Sequence, residues 1–179
     1  IQQKFKITAI YVTHDQDEAL SMSDRIAVMR HGVVEQYGSP WEIYFKPANR
    51  FVADFVGTVN FLESTVKSCA DGQFVVEYDG HPLKGSTELQ LAPGDKVALT
   101  VRPEGIRIAG DTETVEDGSF LQGTITNSSF LGRVIRYWVR AGQQTFIIDD
   151  SNPSMAGAKS GSVRMVLDQA KMHLLRDEG

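Results

Sequence analysis

The sequence of 179 residues has one cysteine, no run of 18 apolar residues and a deficit of positive charge. The single Cys69 excludes a disulfide within the chain and a zinc site made of cysteines. A bilayer-spanning helix needs about 20 apolar residues in a row, so we expect no direct insertion into a membrane. The 18 Lys and Arg against 23 Asp and Glu give a net charge of −5, which argues against nucleic acid as a partner.

Common catalytic motifs are also missing. The chain has neither a Gly-x-x-x-x-Gly-Lys-Ser/Thr phosphate loop nor a Gly-x-Ser-x-Gly nucleophile elbow. Its four histidines, His14, His31, His81 and His173, lack the spacing of metal ligands. We therefore predict no metal site, and no phosphoryl transfer by this chain alone, because the phosphate cradle and its carboxylates are absent.

Residues 1–56 have the pattern of alternating strands and helices. Ile7–Val12 is apolar and rich in β-branched residues, which predicts a strand buried on both faces of a parallel sheet. Asp15 and Glu18 form a capping-box pattern that predicts a helix to about Met22. Residues 25–37 then alternate in polarity around a His31-Gly32 turn, which predicts a β-hairpin.

Two short helices are predicted at the end of this segment. Ser39-Pro40-Trp41-Glu42 combines a cap, a proline in the first turn and a glutamate three residues after the cap. The next helix carries Phe51, Val52 and Phe55 at helical spacing and ends at Gly57. Its aromatic residues, together with those of the first helix, are interpreted as core, with contact to a partner protein as the alternative.

After Gly57 the sequence changes to short alternating segments separated by turn residues. Strands are predicted at 74–78, 97–101, 134–139 and 145–148, which is typical of a small barrel or sandwich. We therefore divide the chain into residues 1–56 and 57–179. The turn Arg102-Pro103-Glu104 has two interpretations, a strand exit in which Arg and Glu pair, or a regulatory or dimer contact.

The second part repeats itself at an offset of 66 residues. Gly57-Thr58-Val59 matches Gly123-Thr124-Ile125, Val97–Val101 matches Val163–Leu167, and Ile106 and Ile108 match Met172 and Leu174. These anchors predict two related β units, residues 57–109 and 123–175, or two halves that build one composite barrel. A Gly–strand rhythm shared by all small barrels is the alternative.

His14 is the candidate functional residue. It follows the end of the predicted strand, where open α/β sheets place their ligands. An imidazole at that position can donate a hydrogen bond to an anion or relay a proton. A purely structural hydrogen-bonding role is the alternative, and the pattern alone does not separate the two.

The segment Ile10-Tyr11-Val12-Thr13-His14-Asp15-Gln16-Asp17-Glu18-Ala19 resembles the switch-histidine segment of ABC-transporter ATPases. Residues 23–36 and 38–53 resemble the hairpin and the helices that follow it in that family. The order is that of the maltose, polyamine, ferric-iron and sulfate importers, whose ATPase domain precedes an OB-like barrel called the TOBE domain. Gly94–Val97, Arg102–Ile106 and His173–Arg176 resemble this extension.

The resemblance implies a mainly β fold, with an OB-like TOBE barrel preceded by the partial α/β end of an ABC nucleotide-binding domain. It implies that His14 contacts the ATP γ-phosphate in a parent protein that uses ATP and Mg²⁺. The parent would be a homodimer bound to permease subunits at the cytoplasmic face of the membrane. Without the phosphate loop, we expect the chain itself to be inactive and to hold neither cofactor.

Two further expectations concern the chain as a whole. Because it opens with Ile1 and not Met, we expect it to be the C-terminal part of a longer protein. The alternative function is a free-standing small-ligand module that binds oxyanions, as related barrels do. The Ser-Ala-Arg-Asn signature of those barrels is absent, and Thr58-Val59-Asn60 does not supply it.

Overall fold

The computed structural model describes residues 7–110, 113, 120–153 and 157–176. Residues 7–56 carry three short helices and one hairpin: α1 (Gln16–Met22), β1 (Ile26–Arg30), β2 (Val33–Gly38), α2 (Pro40–Phe45) and α3 (Arg50–Phe55). No helix among the described residues is long and apolar enough to cross a bilayer. The predicted hairpin and all three helices are confirmed.

Side-chain caps explain why such short helices begin where they do. The Asp15 carboxylate accepts a hydrogen bond from the Glu18 N–H at the start of α1. At α2, Ser39 and Glu42 cap each other's backbone N–H groups, and Pro40 occupies the first turn. The Asn49 side chain accepts from the Val52 N–H at α3. Each cap satisfies a backbone donor that the first turn leaves without a helical partner.

The predicted strand at Ile7–Val12 is wrong. These residues have no regular secondary structure, and Ile10 and Val12 are 93% and 90% exposed. The β-branched pattern reports a tendency to be buried, but a parallel strand also needs neighbours on both edges. No described strand pairs with this segment, so its apolar side chains stay in solvent.

The described residues after position 56 form ten strands in two five-stranded antiparallel sheets: β3 (Asn60–Ala70), β4 (Gln73–Tyr78), β5 (His81–Ser86), β6 (Lys96–Val101), β7 (Ile106–Ile108), β8 (Phe120–Phe130), β9 (Ile135–Ala141), β10 (Gln144–Asp150), β11 (Gly161–Leu167) and β12 (Met172–Arg176). The order is β12-β6-β3-β4-β5 in the first sheet and β10-β9-β8-β11-β7 in the second. The fold is mainly β, which confirms the predicted class.

The two sheets exchange their last strands. Strand β7 pairs with β11 of the second sheet, and β12 pairs with β6 of the first. The 3₁₀ turns Pro103–Gly105 and Gln169–Lys171 precede these strands. They lie 66 residues apart, which is the offset at which the sequence repeats itself. The two sheets therefore have the same strand arrangement. The division at residue 57 into separate domains stays a prediction.

Both sheets contribute to one apolar core. Leu62 and Leu99 of the first sheet and Val139, Phe146 and Met165 of the second are buried in the same cluster. Buried Asn60 joins the sheets, because its amide donates to the Ile147 carbonyl (2.9 Å) and its oxygen accepts from the Ile147 N–H (2.8 Å). A much smaller cluster, Val28, Ile43, Val52 and Val56, holds α2 and α3 against the hairpin.

Candidate functional site

His14 lies in the bend before α1 and is exposed. Its neighbours are held by local hydrogen bonds: the Thr13 hydroxyl donates to Glu18 (3.1 Å) and accepts from the Asp15 N–H (3.0 Å). These bonds fix the backbone on both sides of His14 and leave the imidazole in solvent. The position suits a side chain that meets a ligand brought by another surface. Contact with a γ-phosphate stays a prediction.

The junction between residues 7–56 and the β sheets centres on Arg102, which is 4% exposed. Its Nη1 donates to the carbonyl oxygens of Ala53 (2.9 Å), Gly57 (2.8 Å) and Thr58 (3.2 Å). Its Nη2 donates to the Tyr44 carbonyl at 3.1 Å. Carbonyls at the end of a helix carry partial negative charge and lack helical donors, so a cation there stabilises the end of α3.

An aromatic ring completes this junction. The Arg102 guanidinium lies 4.3 Å from the centre of the Tyr44 ring, a cation–π distance. The Tyr44 hydroxyl donates to Glu104 at 2.9 Å. Burial, with the Glu104 carboxylate next, raises the pKa of Tyr44 to about 12, so the hydroxyl remains a donor at neutral pH. The interpretation of Arg102 and Glu104 as a pair across their turn is wrong, because each binds the helical segment instead.

A groove of about 700 Å³ runs beside the junction, between α2 and the edge of the first sheet. Trp41 and Phe45 line one side, and the His173 imidazole lies on the other. The Nε2 of His173 donates to the Pro47 carbonyl at 3.1 Å. Burial lowers the pKa of His173, which keeps the ring neutral near pH 7.

The aromatic residues of α2 and α3 differ in burial, so some fit the interpretation as core and others fit the alternative of contact with a partner protein. Tyr44, Phe45 and Phe51 are half-buried, whereas Trp41 is 70% and Phe55 42% exposed. Within the described ranges, no three His, Cys, Asp or Glu residues converge on a position that could hold a metal ion.

The sequence did not reveal the role of Arg102. The one sequence feature that could have indicated this role is the position of Arg102, a cation directly after strand β6, whose residues 97–101 are all buried.

Comparison with known proteins shows what the chain is similar to. The TOBE domain family matches residues 99–175. Over 182 residues the chain is 35% identical to the spermidine/putrescine import ATP-binding protein PotA of Mesorhizobium japonicum, which covers 99% of this chain and 48% of that protein. The chain is therefore similar over nearly its whole length to part of an import ATP-binding protein, and its β region is TOBE-like. It is 43% identical to PotA of Thermobifida fusca over 150 residues, covering 83% of this chain and 38% of that protein.

The ABC-importer relatives are much longer than this chain, which spans less than half of either protein's length. Among solved structures, the chain resembles the cytoplasmic molybdate-binding protein ModG with a TM-score of 0.55 and 18% identity, over 64% of this chain and 94% of that one. At this identity the similarity concerns the fold alone.

Proposed function

We propose that the chain is the C-terminal regulatory part of the ATP-binding subunit of an ABC importer. The observation that carries the proposal is that similarity to ABC-importer ATP-binding proteins continues through both the helical segment and the β sheets. Arg102 supports it, because four hydrogen bonds and a ring contact join these two parts at a buried position.

In this proposal the parent protein couples ATP hydrolysis to solute uptake, and the residues present here modulate that cycle. ATP and Mg²⁺ are held by the parent, since this sequence has no phosphate loop. The parent is a homodimer, bound to permease subunits at the cytoplasmic face of the membrane. The relatives' shared name makes spermidine and putrescine the solutes to test first.

His14 is the residue proposed to act in hydrolysis. Its exposed imidazole, held by ordered neighbours, suits a donor that meets the γ-phosphate of a nucleotide bound mainly by other residues. The chain alone should show no ATP turnover. In the full-length protein, His14→Ala should lower ATP hydrolysis about 100-fold or more, the effect expected when a transition-state donor is lost.

His81→Ala is the matched control, because His81 is also an exposed histidine but lies in β5, far along the chain. It should leave the hydrolysis rate unchanged. Turnover by the 179-residue chain itself, or equal rates for the His14 and His81 variants, would contradict the proposal.

A further inference from the structure

The first helix, α1, begins with a capping pattern that is closed differently from that of α2. In α2, the Glu42 carboxylate accepts from the N–H of the cap residue Ser39 at 2.7 Å, so the capping box ends on the cap itself. In α1, the Asp15 N–H donates to the Thr13 hydroxyl at 3.0 Å, and that hydroxyl donates to Glu18 at 3.1 Å. The glutamate of α1 therefore reaches past the cap to the segment that precedes it.

Three hydrogen bonds form a closed ring around the backbone of His14. The Thr13 hydroxyl donates to the Glu18 carboxylate (3.1 Å), the Glu18 N–H donates to the Asp15 carboxylate (3.0 Å), and the Asp15 N–H donates to the Thr13 hydroxyl (3.0 Å). His14 lies between the two residues of the last bond, so its backbone is held on both sides while it remains exposed. The ring involves only residues 13–18, so it does not depend on how the preceding segment is paired.

The bond between Thr13 and Glu18 is partly shielded from water. These two residues are half-buried, whereas the other residues between 11 and 18 are exposed. The Tyr11 hydroxyl also donates to the Glu18 Oε2 at 3.1 Å, so one carboxylate oxygen accepts from two positions before His14. Hydrogen bonds to a charged group are stronger than those between neutral groups. Glu18 is therefore the group that ties this segment to α1.

The backbone around His14 is irregular, which makes such a restraint necessary. His14 lies in a bend, and residues 7–12 before it have no regular secondary structure. Loop segments move on timescales of nanoseconds to microseconds. A donor stabilises developing charge best when its position is fixed before the reaction, because no reorganisation is then needed. An imidazole on a bend therefore needs a restraint from a neighbouring element, and the bond between Thr13 and Glu18 supplies one from α1.

We propose that Glu18 is a positioning residue, which holds the bend through Thr13 so that the His14 imidazole is presented to its anionic ligand. This inference rests on the proposed function, which gives His14 a γ-phosphate to meet. It adds the requirement that His14 acts only while its bend is tied to α1. A glutamate that served α1 alone, through its charge at the positive end of the helix, would leave His14 unaffected.

The first test uses the 179-residue chain and does not involve ATP. Backbone ¹⁵N relaxation measures amide order parameters, which are about 0.85 in rigid backbone and below about 0.6 in flexible backbone. Glu18→Ala should move the His14 amide from the rigid toward the flexible range, and Thr13→Val should do the same, because each removes the bond between hydroxyl and carboxylate. Asp17→Ala is the matched control, since it removes a carboxylate from the same first turn, about 100° around the helix from Glu18. It should leave the His14 order parameter unchanged.

The second test measures ATP hydrolysis by the full-length protein. Glu18→Ala should lower kcat about tenfold and leave the KM for ATP unchanged, because a displaced donor is lost from the transition state and not from nucleotide binding. Glu18→Gln should restore most of the rate, since its amide oxygen still accepts from the Thr13 hydroxyl. In a His14→Ala background, Glu18→Ala should change kcat less than about twofold, because a residue that acts through another has no separate effect once that residue is gone. Asp17→Ala should leave kcat unchanged.

The outcomes separate this inference from the proposed function. An unchanged His14 order parameter in the Glu18→Ala chain overturns the positioning role, whatever the protein does. The role is also overturned if His14→Ala slows hydrolysis and Glu18→Ala does not, or if Glu18→Ala slows the His14→Ala variant further. A His14→Ala variant that hydrolyses ATP at the wild-type rate contradicts the proposed function instead, and the order parameters still decide whether Glu18 holds the bend.

Discussion

The helical segment, residues 7–56, leaves many large apolar side chains exposed, whereas the described part of the β region, residues 60–176, buries most of its own. The β region closes one core between two sheets, and among its described large apolar residues only Phe130 and Leu131 are markedly exposed. In the helical segment, eleven large apolar residues are exposed, including Ile10, Val12 and Trp41, and its buried cluster has four members.

The difference shows what an apolar pattern does and does not determine. Burying one Val, Leu or Ile side chain contributes about 1.5–3 kcal/mol, but only where another surface is available to cover it. The β region supplies that surface to itself, since each sheet covers the other. The helical segment supplies little, so its order depends on caps, on the hairpin and on its attachment to the β region through Arg102.

Removing that attachment should give the largest effect. Arg102→Met keeps the aliphatic stem but deletes four hydrogen bonds to carbonyls of residues 44–58. We expect the attachment to weaken by about 3 kcal/mol, because buried carbonyls lose charged donors. Limited proteolysis should then cleave residues 7–59 much faster, while urea unfolding of the β sheets keeps its midpoint.

Arg102→Lys separates the hydrogen-bond geometry from the charge. One ammonium cannot reach the carbonyls that the planar guanidinium spans, so the lysine variant should resemble the methionine variant. If the Arg102 variants resist proteolysis as well as the wild-type chain, the helical segment is held by its own contacts and the comparison above fails.

A smaller effect is expected from the exposed apolar residues themselves. We expect the chain to self-associate through the helical segment, because contact between two copies would cover Ile10 and Val12. Ile10→Lys/Val12→Lys should raise the dissociation constant about tenfold, toward a monomer of 19.8 kDa in sedimentation. Phe130→Lys/Leu131→Lys, at the β8–β9 hairpin, is the control and should not change the mass. A wild-type monomer at high concentration would contradict self-association.

The sequence predicted those features that depend on near neighbours. Ser39 and Glu42 lie three residues apart, so their mutual capping could be predicted, and the structure contains it. The alternation in residues 97–101 and 145–148 likewise predicted strands, which are present as β6 and β10. The mainly β class followed from several such segments.

Features that depend on distant partners were not predictable. The carbonyls bound by Arg102 are 44 to 58 positions away, and no sequence pattern specifies them. The 66-residue offset indicated related segments but not that β7 and β12 exchange sheets. The strand at Ile7–Val12 was wrong because its pattern does not report whether neighbouring strands exist.

The smallest effect concerns His173, which joins the two regions at the groove. Burial lowers its pKa in the folded chain, with the Pro47 carbonyl acting in the opposite direction. The unfolded chain therefore takes up the proton first as pH falls below about 6.5, the ordinary value for histidine. The stability gained from the neutral ring is complete above that pH and declines until pH reaches the lowered folded pKa.

His173→Gln removes the titration but keeps an N–H donor for the Pro47 carbonyl. Urea midpoints at pH 5 and pH 7.5 should differ less in this variant than in the wild-type chain. Glu88 and Lys46 face the same groove and form an ion pair at 2.7 Å, so the comparison between variants, and not the absolute pH dependence, isolates the imidazole. An identical pH dependence in the two proteins would show that the titration of His173 does not contribute to the pH dependence of stability.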